Sequence, residues 1–306
     1  MRIILFLLLI NLSTSFVEAC PIENGGATEG LALGLNIGVN DIDNFLKRSS
    51  DQMTEEKFNY IIDQIASVYR PVIKKLGGKL KVNKDWSDGT VNAYAQQFGK
   101  SWEINLFGGY ARHKEQTPDS FAIVVCHEIG HHIAGYPIYT RGWASSEGQS
   151  DYFAAAKCFK AAFGHEDSSV HAADFIFDVD GLVSEKCSQA HQFGNDADYF
   201  MCLRLAKAAQ ARGNVYADLR REAQPSVKTP SREVVKKHFN RHPATQCRVD
   251  TAFQGALCNE SLDLLHGTSD YKEGYCTRAE GYEMGVRPKC WFNPEQAERE
   301  SFSAWF

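Results

Sequence analysis

The sequence predicts an α+β fold that is mainly helical, with one small antiparallel sheet beside a buried helix. Three observations predict it: a long helical apolar pattern over residues 54–75, three short β-favouring runs between 79 and 107, and further helical stretches from 119 to 213.

Taken in order, the apolar positions Phe58, Ile61, Ile62, Ile65, Val68, Tyr69 and Val72 recur at helical spacing, and Thr54-Glu55-Glu56 makes a helix start. The runs Lys79 to Trp86, Val91 to Phe98 and Trp102 to Phe107 read as strands, separated by Asp88-Gly89 and by Gly99-Lys100-Ser101, which predicts antiparallel pairing. Residues 119–135, 148–162, 167–188 and 195–213 read as helices. A connection containing Pro and Ser follows near 224–231, then another helix or two and a tail containing Cys, Gly and Pro. No internal repeat or low-complexity tract is visible.

The chain of 306 residues is long enough to bury a core of ordinary size as one main domain. Its net charge of −5 is spread over mixed Lys, Arg, Asp and Glu, which excludes a nucleic-acid footprint. Arg2, the apolar run Ile3 to Ile10 and Val17-Glu18-Ala19 predict an export signal over residues 1–19, and hence a periplasmic or extracellular protein. No later stretch approaches the roughly 20 apolar residues of a membrane helix. Residues 20–50 read as an irregular arm, 51–258 as the main domain and 259–306 as a cysteine-containing extension.

Cys20 follows the predicted cleavage point, so it is a candidate lipid anchor that would tether the chain to a membrane. A disulfide or an unpaired thiol is the alternative. The other eight cysteines predict disulfides, with Cys126 either paired or a buried free thiol.

The chemistry concentrates at His127-Glu128-Ile129-Gly130-His131. Histidines four apart stack on one helix face, so both imidazoles can hold one metal ion while Glu128 reaches a water on it. Chance alone produces such pentapeptides in structural helices. The apolar run Phe121 to Cys126 before it, however, predicts a buried helix, and buried histidines beside a carboxylate need a metal or partners to offset desolvation. One Zn²⁺ per chain is the expected ion. The extended three-histidine pattern fails, because Ala134 and Pro137 stand where its Gly and third His belong. Glu147 and Asp151, four apart at a helix start, offer a third ligand and a partner for the outer nitrogen of a ligating histidine. A solvated first helical turn is the plainer reading of that acidic pair. His132 lies about 140° from His127 on the helix and is expected beside the site rather than on the metal.

At these residues the sequence resembles the gluzincin metallopeptidases, in particular the family of the CAAX prenyl endopeptidases and the envelope proteases HtpX and BepA. Val91-Asn92-Ala93-Tyr94-Ala95 resembles that family's edge-strand segment, Glu147-x-x-x-Asp151 its ligand motif, and His242-Pro243 with Arg248 its late His-Pro segment. The likeness spans roughly residues 54–255, with a short gap between His131 and Glu147 and without the family's membrane helices.

The resemblance implies a zincin-like metallopeptidase whose metal ligands are His127, His131 and Glu147, with Glu128 as general base. It implies that Asn92, Ala93 and Tyr94 pair with an extended polypeptide substrate, and that His242 and Arg248 face the cleft and stabilise an oxyanion. An ordinary sheet edge, and a structural pair beside a disulfide at Cys247, are the alternatives for those last two sets. The expectation is a metalloendopeptidase acting on unfolded polypeptide. The alternatives are a non-cleaving, chaperone-like metal protein and a cell-wall peptide amidase.

Overall fold

The computed structural model describes residues 35–39, 52–139, 142–172, 181–191 and 196–303. The predicted export signal, Cys20 and most of the 20–50 arm lie outside the described residues.

Helix α1, Glu55–Lys75, starts where Thr54 Oγ1 accepts from the Lys57 amide; it has Glu55 and Glu56 in its first turn and Lys74 and Lys75 in its last, matching its dipole. It buries Phe58, Ile62, Ile65 and Tyr69 against the core. Strands β1 (Lys79–Asp85), β2 (Ala93–Phe98) and β3 (Ser101–Phe107) follow.

The sheet is mixed, which corrects the antiparallel expectation: the order is β1-β3-β2, with β3 antiparallel to β2 but parallel to β1. Two strands joined by a tight turn must pair antiparallel, and β2 and β3 do so, with Gly99 at φ +57° in their turn. The Asp88-Gly89 segment is not such a turn. The buried Arg112 guanidinium donates to the carbonyls of Trp86, Asp88 and Ile37, and so holds this connection open while β3 takes the place beside β1. Beyond that connection, Leu35 and Ile37 pair with Val91 and Gly89.

Helix α2, Pro118–Ile133, carries the histidine motif. Thr117 and Ser120 form a reciprocal capping box, Pro118 opens the first turn, and every side chain from Ser120 to Ile133 is buried. Helix α3, Glu147–Phe153, runs on through a widened turn at Ala154–Cys158 into Phe159–Phe163, so the predicted single helix is interrupted where Cys158 bonds Cys126. The predicted helix 167–188 is also broken. Ser168–Ala172 is a short helix, residues 173–180 of the predicted helix lie outside the described residues, and helix α4, Leu182–Ala190, opens after Gly181 at φ +70°, a conformation that no helix continues through. Helices α5 (Asp196–Arg220), α6 (Thr245–Leu257) and α7 (Pro294–Ser303) complete the set.

The fold is therefore α+β and mainly helical. Helix α2 is central: the sheet, α1, α3 and α5 all pack on it. Four disulfides pair all eight cysteines after Cys20: Cys126–Cys158, Cys187–Cys202, Cys247–Cys290 and Cys258–Cys276. Cys126 is thus not a free thiol. Among the described residues no helix is long and apolar enough to cross a membrane.

Candidate metal centre

Close approach of α2 and α3 creates the centre, and Gly130 permits it. A Cβ there would lie 3.0 Å from the Phe153 ring and 3.1 Å from Ser150 Cα, so only glycine lets the two helices meet without displacement. Across this contact His127, His131 and Glu147 converge, with one donor atom from each lying within 4.8 Å of the others. His127 Nε2 is 3.2 Å from Glu147 Oε2, and His131 Nε2 is 3.6 Å from Glu147 Oε1. Donors about 2.0–2.1 Å from a tetrahedral ion lie roughly 3.3 Å from one another, so the spacing fits one metal ion. The three residues form a triad able to hold it.

The outer ring nitrogens are already committed. His127 Nδ1 lies 2.7 Å from Asp151 Oδ1. His131 Nδ1 lies 2.9 Å from the Ser145 carbonyl and 3.2 Å from Ser150 Oγ. Both rings therefore turn Nε2 inward, the orientation such outer contacts impose on ligating histidines.

Asp151 is fully buried and held by two arginines. Arg248 Nε and Nη2 reach its two oxygens at 2.7 and 2.9 Å, and Arg212 Nη1 reaches Oδ1 at 2.7 Å. Burial alone would raise its pKa. Arg212, Arg248 and His127 outweigh burial and hold the carboxyl well below the usual range. Burial likewise works against the charge of Glu147, and His242, His131 and His127 outweigh it, keeping this carboxylate ionised. The plainer reading of Glu147 and Asp151 as a solvated first turn does not hold, since both are 0 % exposed.

Arg248 is where the structure departs furthest from the expectation of a cleft-facing oxyanion donor. Its guanidinium is spent on Asp151 and lies over the Tyr216 ring, with Glu147 Oε2 3.8 Å from Nη2. Helix α6 points it inward because its Asp151 partner sits at the base of the site, so its action is to fix Asp151. His242 instead comes to the centre, its Nε2 3.1 Å from Glu147 Oε2, and burial lowers its pKa to about 3.

Glu128 is buried beside the ligands without belonging to the triad. Burial raises its pKa; His127 opposes the rise and Glu147 adds to it, leaving it at about 7. His132, with its pKa lowered to about 3 by burial, lies between the rings of Trp102 and Trp143, its Nε2 3.1 Å from the Glu103 carbonyl. It serves as a packing element and pins the loop carrying Trp143 to α2.

Ala93 and Tyr94 lie on β2, an edge of the sheet among the described residues, and Asn92 immediately precedes it. Val91, Ala93 and Ala95 face the core, which leaves Asn92 and Tyr94 on the other face. The Asn92 Nδ2 atom is buried without a hydrogen-bond partner.

Sequence reasoning missed three contributors. Tyr139, on the loop between α2 and α3, donates from its hydroxyl to Glu147 Oε1 at 3.0 Å. Its signal was available, since it is an aromatic residue inside the short gap between two ligands. Arg212 sits mid-helix with no local pattern to mark it. The third is the C-terminal extension. Tyr275 donates to the Ala134 carbonyl, Gly267 N donates to the Ile133 carbonyl, and the Trp291 indole fills the space a Cβ at Gly148 would occupy. The extension thus braces the ends of both ligand helices.

No protein-family model, curated protein or solved structure matches the chain.

Proposed function

We propose that this chain is a zinc-dependent metalloendopeptidase that hydrolyses peptide bonds of extended or unfolded polypeptides, in the cell envelope or outside the cell. The observation that carries the reading is the buried carboxylate of Glu128, set beside a two-histidine, one-carboxylate triad but outside it. A structural metal site closes with protein ligands and has no use for an adjacent base, whereas a hydrolytic site needs one. That contrast also favours hydrolysis over a non-cleaving, chaperone-like role. A cell-wall peptide amidase would use the same chemistry, and the place of β2 at the edge of the sheet among the described residues favours an extended polypeptide.

His127, His131 and Glu147 would hold one Zn²⁺, and the two-nitrogen, one-oxygen donor set suits that ion. When bound, zinc supplies Lewis-acid polarisation of a carbonyl and acidifies water. Asp151 keeps His127 in the tautomer that presents Nε2, and its two arginines keep Asp151 ionised. Glu128, buried beside the triad, takes the proton of the attacking water and returns it to the leaving amine. His242, kept neutral by its burial, donates to the oxygen on which negative charge develops. The backbone of β2, with the Asn92 amide just before it, holds the substrate extended.

The test is metal content and hydrolysis of unfolded casein by wild type and Glu128→Gln. The expected result is about one zinc per chain in both proteins, with cleavage falling about 10²- to 10⁴-fold in the variant. Absence of metal from wild type would overturn the reading at its base.

A further inference from the structure

Resting on the peptidase reading, we infer that the strap formed by residues 232–241 is a docking surface that selects polypeptide substrates carrying acidic residues. The strap holds Arg232, Lys236, Lys237 and Arg241, all exposed, against a single acid, Glu233, in a chain whose overall charge is −5. Lys289, also exposed, lies against the strap where its carbonyl accepts from the Val235 amide at 2.9 Å. Among the described residues no ion pair or side-chain hydrogen bond reaches any of these five cations. Arg204, Arg212 and Arg248, by contrast, are all consumed by carboxylates.

The strap is held in place rather than merely exposed. Phe239 N donates to the Trp291 carbonyl, His238 N to Gln296 Oε1, and Asn293 Nδ2 to the Val235 carbonyl. It ends at the metal centre: the Asn240 carbonyl accepts from the Glu147 amide at 3.2 Å, and His242, one residue past Arg241, contacts Glu147 Oε2 at 3.1 Å. Tyr136, on the loop that delivers Tyr139, contacts His238 Nε2 through its hydroxyl at 2.7 Å, so strap and loop flank the same carboxylate. A polypeptide whose scissile bond sits at the centre must pass one of these flanks. On the strap side it meets a surplus of positive charge over the acids Glu233 and Glu300, the latter held at the Tyr136 hydroxyl, with Phe239, 42 % exposed, among the cations. An acidic polypeptide segment with an apolar residue among the acids fits that surface by charge and by contact.

The experiment uses the full chain and two unfolded fluorogenic peptides identical in sequence, except that the Asp residues of one are Asn in the other. Wild type is compared with Lys236→Glu/Lys237→Glu and with the milder Lys236→Gln/Lys237→Gln, zinc content and circular dichroism serving as folding controls. Wild type should favour the acidic peptide about five- to tenfold in kcat/KM, through KM, and the preference should shrink at high salt. Neutralisation should reduce the preference and reversal abolish it, with the Asn peptide unaffected. Equal cleavage of both peptides by wild type, or an acidic preference that survives reversal, overturns the inference and leaves the peptidase reading intact. If neither peptide is cleaved, fluorescence anisotropy of the same peptides on wild type decides. Salt-sensitive binding of the acidic peptide that is lost on reversal supports the strap and counts against the peptidase. Binding to phosphatidylglycerol vesicles but to neither peptide overturns the strap as a substrate surface.

Discussion

Glu147 is held at one oxygen by the Tyr139 hydroxyl and at its backbone amide by the Asn240 carbonyl, while His242 Nε2 lies 3.1 Å from its other oxygen. A carboxylate held this way needs little reorganisation to accept a metal. Tyr139→Phe removes one grip without emptying the space, so metal affinity should fall about 10-fold, at the lower end of what lost outer partners cost, as measured by chelator competition. Arg248 offers a sharper decision. If it fixes Asp151, Arg248→Met leaves a buried carboxylate with Arg212 as its remaining arginine, and thermal unfolding should show a loss of about 3–5 kcal/mol together with weaker metal binding. A donor to the oxyanion would instead lower kcat with stability preserved. Such roles separate what sequence can show from what it cannot. His127, His131, Glu147 and Asp151 stand out because each pair is spaced four apart, a periodicity that one helix imposes. Arg212 and Arg248 reach Asp151 from helices about 60 and 100 residues downstream, and only packing joins them.

Among the elements, α1 and α2 were readable for the same reason: apolar period and caps are local properties. Strand parity was not. Whether β3 pairs beside β1 depends on Arg112 collecting carbonyls from distant segments, and no turn residue near Asp88-Gly89 reveals that. The widened turn after α3 was hidden too, and around it lie the buried Lys157 and the half-buried Lys160. Burial lowers the pKa of Lys157 to about 8 and that of Lys160 to about 7, although Lys160 donates to the carbonyls of Gly255, Ala256 and Cys258. Above the folded values and below the ordinary lysine value of about 10.4, the unfolded chain binds more protons than the folded one. Unfolding free energy should therefore rise from about pH 7 to pH 10 in urea titrations. Lys160→Met should flatten that rise.

Over the whole molecule, the sequence-level division into main domain and extension understates how far the two share one core. Trp291 occupies the space beside Gly148, Arg287 donates to Gln149, and Cys247–Cys290 ties the extension to the helix bearing Arg248. Nothing in a tail of Cys, Gly and Pro announces that role, because Gly148 and Gln149 lie more than a hundred residues before the side chains that meet them. The Cys126–Cys158 bond has a wider consequence. The ring it closes contains His127, Glu128, His131, Glu147 and Asp151, and both helices that meet at the site are anchored to it. Closing a loop of that size lowers the entropy of the unfolded chain by the equivalent of about 3–4 kcal/mol in the chain-entropy model. Ligand capture and thiol oxidation are then linked equilibria, and such linkage is reciprocal. Reduction should loosen the ion, and a bound ion should slow dithiothreitol at this bond, which mass spectrometry of alkylated Cys126 would register. On that account the ring works as a latch that ties the arming of the site to the redox state of its surroundings.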